Sequence, residues 1–431
     1  MIKTHFLKFI VVTVFMIIST YIRSQTEIGI KPDTIYLRQD SVEHIFVRKN
    51  LLLLAQRYNI DAQKALVDQV RLFPNPTLNI NTNIYQTETR RFFPFGNDGE
   101  ISAGLSQVIM LAGKHNKQVK MALTNKNISE FQFYDLLRTL KHTLQSDFYN
   151  IHYLLQSAKL YDTEIASLKK VTDAFELQKG KGYVSEKEVL RVKAQLYSLQ
   201  SEYNDLKSQI NDVQSEMRLL LQSKNTVLIP LVDELQIKSL KVDKYPLAAV
   251  IDSAYASRPD LNIARLNTDL SKQNYSLQRA MAVPDMTLSL GYDQQGGYVR
   301  NNTMLGLGFD LPVLNRNQGN IKSAKAMIKF NEATLEATQQ TVHEQIYSAL
   351  QKAFENDKLL KSRDASFEKD YAKLLDEVLK NYQVRNISLL DFLDFYDSYK
   401  QNILQINALN FNRVAAFIDL NYYAGIDYLK N

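Results

Sequence analysis

Two carboxylates in the C-terminal part of the chain have the residue type and spacing to act on ions. Asp391 and Asp394 follow Ser388, which can cap a helix that begins there, so both acids fall in its first two turns. Their i, i+3 spacing puts them on one face, where the helix dipole favours a carboxylate. Repeated around a narrow opening, such acids would attract cations and bind multivalent ones. The alternative is a pair of solvated acids at a helix start.

The segment before these acids has the features of a helical hairpin tip. Tyr382–Ser388 is short and polar and lies between two long stretches without Pro or Gly. The preceding stretch, from about Gly319, predicts one unbroken helix that would be about 95 Å long at ~1.5 Å per residue. The following stretch predicts a returning helix that ends near Ala424.

The composition argues against several functional classes. The chain has no Cys, which removes disulfides, thiolate metal sites and cysteine nucleophiles, and its six His are dispersed. The formal charge of +6, half of it within the first 25 residues, is too small to indicate nucleic-acid binding. The sequence has no phosphate-binding loop and no Gly-flanked Ser. We therefore expect no enzyme, no metal, no cofactor and no nucleic-acid partner.

The N-terminus has the organisation of a secretory signal over residues 1–24. Lys3 and Lys8 precede the apolar run Phe9–Ile18, and the expected cleavage follows the small residue Ser24. This run is shorter than the ~20 residues that a membrane-spanning helix needs, and no later stretch is long and apolar enough. We therefore expect an exported protein that could cross a membrane only as strands.

Two pairs of alternating segments predict β-strands. Leu78–Tyr85 and Ile101–Ile109 form the first pair, and Met286–Tyr292 and Leu305–Leu311 form the second. About 9–11 residues suffice for a tilted strand to cross a bilayer. We predict that the large apolar residues face lipid and that the alternate residues face inward. The predicted inward residues are Asn79, Asn81, Asn83, Ser289, Gly291, Gly306 and Gly308.

The helical pattern also occurs twice, which indicates an internal duplication. Pro74 and Pro284 are 210 positions apart, and Ser185 and Ser388 are 203 positions apart. Each copy reads as a helix, a strand pair, a long helix, a tip and a return helix. The predicted bounds are 25–224 for the first repeat, 225–247 for an irregular joint and 248–431 for the second repeat.

The first helix of each copy is predicted from apolar periodicity. Asp40–Leu72 reads as one helix, and Ala248–Arg279 reads as a helix with a break at Arg258–Leu261. The first hairpin would run from Gly113 to about Leu177 and return to about Gln222.

Four strands are too few to close a cylinder, and lipid does not tolerate an open sheet edge. Three chains would supply twelve strands, which leave an aqueous lumen, and their helices could extend the pore as a tube. Soluble hairpins with Asn on a wet face, and a solid helical bundle, are alternatives that the periodicity leaves open.

These motifs resemble the TolC-type outer-membrane efflux family over nearly the whole mature chain. The resemblance rests on Pro74–Pro76, Arg258–Leu261 and Leu311–Leu314, each at the expected place in the repeat. The tips Lys179–Ser185 and Tyr382–Ser388 are similar to the Tyr-x-x-Gly-x-x-Ser hairpin ends of that family. Lys179 and Arg385 stand where the family usually has Tyr and Gly.

The resemblance implies a mainly α fold with a small transmembrane β part. Duplicated long helical hairpins and four strands per chain would assemble as a trimeric β-barrel continued by an α-helical tunnel. The expected location is the outer membrane of a Gram-negative bacterium, with the helical part in the periplasm. The expected partners are two further copies, outer-membrane lipid, a periplasmic adaptor and an inner-membrane pump of the RND or ABC type.

The resemblance also assigns roles to individual residues. It implies that the tips contact the adaptor and that Asp391 and Asp394 narrow the periplasmic entrance of a passive export channel. The implied adaptor contacts are Gly182, Ser185, Arg385, Asn386 and Ser388. The alternative functions are a periplasmic or surface coiled-coil scaffold without a pore, and an adhesin that presents the strand loops.

Overall fold

Ten helices and eight strands are present in the described part of the chain, which a computed structural model places. The described residues are 33–94, 96, 99–242, 246–295, 298–364, 366–383 and 386–425. The predicted signal and Arg385 of the second tip lie outside these ranges. Within them, no helix combines the length and the apolar character that crossing a membrane requires.

The elements follow one another in the order that the duplication predicts. The helices are α1 (Gln39–Lys49), α2 (Leu51–Val70), α3 (Lys114–Gly180), α4 (Glu186–Leu221), α5 (Glu234–Ser239), α6 (Leu247–Ser257), α7 (Pro259–Met281), α8 (Gln318–Lys361), α9 (Phe367–Gln383) and α10 (Leu389–Ala424). The strands are β1 (Asp33–Leu37), β2 (Thr77–Thr82), β3 (Tyr85–Gln86), β4 (Arg91–Phe92), β5 (Glu100–Ile109), β6 (Thr226–Pro230), β7 (Met286–Gln295) and β8 (Val299–Phe309).

The first predicted helix, Asp40–Leu72, is divided into α1 and α2 at Asn50, so the expectation of one helix is wrong. The Asn50 side chain caps α2 by accepting the backbone N–H groups of Leu52 (3.0 Å) and Leu53 (3.1 Å). Its Nδ2 donates to the carbonyl of Leu220 in α4, at 3.1 Å. The break therefore depends on a contact with a distant helix.

The predicted break at Arg258 is confirmed and separates α6 from α7. The buried Arg258 guanidinium binds Asp260 and also donates to the carbonyl of Tyr423 at 3.2 Å. Tyr423 lies 203 positions after Leu220. The side chains at the two helix breaks therefore donate to carbonyls at equivalent positions of the two copies. Burial opposes ionisation of Asp260, but Arg258 and the charge of Arg138 outweigh it and lower the pKa of this carboxyl.

The helix expected from Gly319 to Tyr382 is two helices, α8 and α9, so this expectation is also wrong. Between them, the Asp364 side chain accepts the backbone N–H of Ser366 at 2.9 Å. Such a local bond from a side chain to the backbone competes with the helical hydrogen-bond pattern. Asp364 therefore favours a helix break without Pro or Gly.

The segment 225–247, expected to be irregular, contains strand β6 and the short helix α5. Strand β6 pairs in parallel with β1, which the sequence did not predict, and Asp33 lies opposite Thr226. These two residues are 193 positions apart, so no local pattern could indicate their pairing.

Arg413 of α10 holds α5 against the helices and is itself buried. Its guanidinium donates to the carbonyls of Ile237 (2.8 Å) and Leu240 (2.7 Å) and to the Asp357 carboxylate (3.1 Å). Burial opposes ionisation of Asp357, but hydrogen bonds from Lys361 and Arg413 outweigh it and lower the pKa of this carboxyl. Arg413 therefore connects the joint segment to both α8 and α10.

The two predicted strand pairs form one antiparallel sheet in the order β2-β5-β7-β8. The pairs join between β5 and β7, where Leu105 lies opposite Leu290. Between β2 and β5 the chain forms a further small hairpin, β3 and β4, in which Tyr85 lies opposite Phe92. The main sheet contains the four strands that the alternating segments predicted.

The helices lie side by side in two successive rows. Near the sheet the row is α2-α3-α7-α8, and toward the tips it is α4-α3-α10, with α8 and α9 beside α10. The sheet is fixed to the first row by the buried Lys114, whose Nζ contacts Asp285 at 2.7 Å and the carbonyl of Val283 at 2.6 Å. This contact joins the helix start of the first copy to the strand start of the second.

Candidate functional site

One face of the four-stranded sheet is apolar and exposed in the single chain. Leu78, Leu105, Leu290 and Leu305 lie opposite one another across all four strands, and cross-strand partners share a face. Their exposed fractions are 62%, 46%, 52% and 73%. A row of leucines this accessible requires an apolar environment outside the chain.

The other face contains small and polar side chains. Most of the predicted inward residues share this face, namely Asn79, Asn81, Ser289, Gly291, Gly306 and Gly308. A side chain at Gly306 would meet the Ser289 hydroxyl on the neighbouring strand, which would have to rotate away. Asn83 lies just beyond β2, where it donates to the Glu100 carboxylate at 3.2 Å. Met304 is a large apolar residue on this face, opposite Gly291.

The first hairpin tip ends α3 with a left-handed residue. Gly182 has a φ of +75° and donates to the carbonyl of Lys179 at 2.9 Å. Tyr183 donates to the carbonyl of Gln178 at 3.0 Å, which completes a Schellman motif. After Gly182 the backbone is not helical again until α4 begins.

The second tip repeats this hydrogen bond. Asn386 donates to the carbonyl of Asn381 at 2.9 Å, and both residues lie 203 positions after Tyr183 and Gln178. The position that corresponds to Gly182 is Arg385, which is outside the described residues.

Each return helix starts with a capping box. Ser388 accepts the backbone N–H of Asp391 at 3.1 Å, and its hydroxyl donates to the Asp391 carboxylate at 2.7 Å. Ser185 and Glu188 make the same pair of contacts at the start of α4. Both acids are exposed, but Asp391 contributes to the helix start, whereas Asp394 lies one turn further along α10.

Aromatic side chains hold the two tips together. The Tyr382 ring stacks on Phe392 with centroids 4.6 Å apart and lies 5.6 Å from Phe175 of the first hairpin. Tyr382 and Phe392 are buried in the same apolar cluster as Val171 and Val192. The structure thus brings both predicted tips to one end of the helical rows.

A buried polar network lies behind the tips, and sequence reasoning did not find it. Lys400 of α10 is 1% exposed, and its Nζ contacts Glu202 at 2.8 Å and Asp397 at 2.9 Å. The Tyr396 hydroxyl donates to the carbonyl of Glu164 at 2.5 Å, and burial raises the pKa of the Glu164 carboxyl. The sequence did not indicate this network, because each of its charged residues is an isolated charge within a helical pattern.

Gly182→Ala is expected to destabilise the first tip by about 1 kcal/mol, because a Cβ is strained at this φ. Hydrogen exchange of the Tyr183 amide should accelerate by about fivefold. Gly180→Ala is the matched control, since Gly180 is helical and has open space around its Cα. The control should be neutral or slightly stabilising, and equal acceleration in both variants would contradict the strain.

The sequence profile of one family matches the chain twice, once in each copy. The profile is that of the outer membrane efflux protein family, and it matches residues 47–221 and 250–425. The chain is also similar to the cobalt-zinc-cadmium resistance protein CzcC of Cupriavidus metallidurans, at 19% identity over 275 residues. That match covers 64% of this chain and 63% of CzcC, so it spans less than two thirds of the relative.

Solved structures of outer-membrane channels share the fold. The Campylobacter jejuni CmeC outer membrane channel aligns with a TM-score of 0.73 and 15% identity, over 90% of this chain and 85% of CmeC. The outer membrane protein VceC of Vibrio cholerae aligns with a TM-score of 0.72 and 15% identity, over 90% and 96%. The chain therefore has the mainly helical fold, with a small β part, of these outer-membrane proteins. The two profile matches together cover more than half of the chain, which therefore belongs to the outer membrane efflux protein family.

Proposed function

We propose that this protein is the outer-membrane exit duct of a tripartite export system. The sheet is the observation that carries the proposal, because Leu290 and Leu305 are exposed on one face while Gly291 and Gly306 lie on the other. An apolar outer face against lipid and a small, polar inner face around water is the pattern of a membrane barrel. A periplasmic scaffold has no need of such a face.

Ring closure follows from the edges of the sheet, of the helix row near the sheet and of the helix row toward the tips. Strand β2 and helices α2 and α4, all of the first copy, lie at one edge, and β8, α8 and α9 of the second copy lie at the other. A head-to-tail contact between copies would pair every edge at once, and such contacts close into rings. Three copies would complete a barrel of twelve strands.

The proposed setting is the outer membrane of a Gram-negative bacterium, with signal 1–24 removed and repeats 25–224 and 248–431 around the joint 225–247. The barrel would contact lipid and the helices would extend into the periplasm. We expect an inner-membrane pump of the RND or ABC type and an adaptor to complete the system.

Extraction and conductance test this function. The full chain should remain in outer membranes through a salt and carbonate wash, migrate as a trimer in mild detergent and conduct in planar bilayers. A coiled-coil scaffold or an adhesin without a pore would give no conductance, and a water-soluble monomer would overturn the proposal.

The tips are the proposed adaptor contacts. Gly182 and Ser185 lie in the first tip, and Asn386 and Ser388 lie in the second. Ser388 matches Ser185, and Arg385, assigned by sequence alone, matches Gly182. Among the described residues, both tips share the hydrogen bond made by Tyr183 and Asn386 and a capping box, so one adaptor surface could engage either.

Asp394 is the stronger candidate for the entrance acid. Asp394→Asn should weaken block of the single-channel current by a trivalent cation by about tenfold, which corresponds to about 1.4 kcal/mol. The reason is that its exposed carboxylate would face the opening in each subunit.

Asp391→Asn is the comparison variant for this experiment. Its carboxylate already binds Ser388, so we expect a smaller change in block and a looser start of α10. Unchanged block in the Asp394 variant would remove the gate role from that residue.

A further inference from the structure

Helix α2, at one edge of the row near the sheet, has two apolar faces. Leu53 and Val67 are buried on the face that packs against α3. On the opposite face Leu54, Tyr58 and Leu66 are 41%, 65% and 52% exposed. An edge helix with a second apolar face is built to pack against another helix.

Acids lie on the flank between the two faces of α2. Asp61 and Asp68 are seven residues apart, which is about two helical turns, so their side chains share this flank. Their side chains are 68% and 75% exposed and form ion pairs with Lys64 at 3.4 Å and with the C-cap residue Arg71 at 3.3 Å. Exposed pairs of this kind contribute little and can exchange partners.

Helix α8, at the other edge of the same row, has the complementary charge. Ala324 is buried on the side of α8 that faces its neighbours in the chain. Lys322 and Lys329 are exposed on the far side and are also seven residues apart. Met327 and Phe330, on the other flank, are 43% and 61% exposed.

Both charged flanks lie on the same side of the row of helices. From the buried face, the charged flank is reached by turning about 100° in the direction of the chain in α2 and about 150° in the same sense in α8. Helix α2 runs toward the sheet and α8 runs away from it, and their buried faces point in opposite directions along the row. Each of these differences alone would move the charged flank to the other side of the row, so together they leave both flanks on the same side. When α8 of one copy lies beside α2 of the next, the lysine flank therefore meets the aspartate flank.

The internal duplication gives the register of that contact. Within one chain α3 packs on α7, and Gln273 donates to the Thr124 hydroxyl at 2.9 Å. The corresponding residues, 203 positions after Thr124 and 210 positions before Gln273, are Met327 and Gln63. If α8 meets the next α2 as α3 meets α7, Met327 lies beside Gln63.

This register aligns the charges. Asp68 lies five residues from Gln63 toward the sheet, and Lys322 lies five residues from Met327 in the same direction. Asp61 and Lys329 each lie two residues away on the tip side of that level.

We infer that Asp61 and Asp68 of one copy form ion pairs with Lys329 and Lys322 of the next copy and thereby select the contact between copies. The inference rests on the ring of the proposed function. At the positions that correspond within one chain, Ser271 and Gln278 stand in place of the two acids. The charged seam is therefore specific to the contact between chains, where it disfavours incorrect pairing of the two similar halves.

Charge reversal tests the seam in the full chain. Asp61→Lys with Asp68→Lys should lower the trimer fraction at least about tenfold in mild detergent, measured by native mass spectrometry, because four cations would then share the seam. Adding Lys322→Asp and Lys329→Asp should restore the trimer. An unchanged trimer fraction after the acid reversal, or no recovery after the full swap, would overturn the inference.

Cross-linking tests the register without altering most of the charge, and it uses the absence of native Cys. Asp68→Cys with Lys322→Cys should give trimers with a short thiol cross-linker. Asp68→Cys with Lys329→Cys, displaced by about 10 Å along the helix, is the matched control and should not. A trimeric, conducting protein that cross-links equally in both variants would reject this register but keep the channel function, whereas a monomeric, non-conducting protein would reject both.

Discussion

Leu305→Arg is expected to prevent stable insertion of the protein into the outer membrane. Leu305 lies opposite Leu290 in the apolar row and is 73% exposed in the single chain. A cationic side chain on the lipid face near the bilayer centre costs about 2–4 kcal/mol, and a trimer would incur this cost in each subunit. Trimer recovered from carbonate-washed outer membranes is the measurement, and we expect nearly complete loss.

Met304→Arg is the matched control for this experiment. Met304 is the adjacent residue in β8, lies on the opposite face beside Gly291 and is 49% exposed. A cation there would face the aqueous lumen, so the variant should insert and change conductance instead. Equal loss of trimer in both variants would contradict the assignment of the two faces.

Arg413→Met is expected to cause a large loss of folding stability in the helical part of the protein. Arg413 donates to Asp357 and to the carbonyls of Ile237 and Leu240, all within 3.1 Å. Its removal leaves a buried carboxylate and two carbonyls with fewer partners, which typically costs about 3–5 kcal/mol. Thermal unfolding followed by circular dichroism should show the loss as a lower Tm.

Two further variants serve as a control and as a partial rescue for this measurement. Arg279→Met changes an exposed arginine whose guanidinium lies 6.0 Å from the Tyr275 ring, so it should leave Tm nearly unchanged. Arg413→Met with Asp357→Leu removes both charges of the pair and should recover part of the loss. A Tm for Arg413→Met within error of the Arg279 variant would refute the anchoring role.

Local patterns in the sequence predicted the repeated elements and most of the sheet faces. The alternation around Asn79 and Gly291 separates apolar from small side chains with a period of two, and this period survives in the strand register. Ser388 was recognisable as a helix cap because capping is a short-range interaction. The tips could therefore be located before any contact between helices was known.

Interactions between distant parts of the chain caused the differences between the predicted and the observed elements. Asn50 ends a helix because Leu220 offers it a carbonyl, and β6 forms because β1 lies beside it. The capping box also assigned Asp391 a structural contact that its spacing from Asp394 did not indicate. In each case the residue type allowed more than one outcome, and its neighbours selected one.

The sequence by itself determined the duplication, the strands with one apolar face and the hairpin tips, because these depend on periodicity and on bonds within a few residues. Only the tertiary structure decided where the joint segment is anchored, how the charges of Lys114, Lys400 and Arg413 are paired, and which helices remain at the edges. The physical reason is that buried charges and helix edges are defined by neighbours far along the chain, and a local pattern contains no information about them.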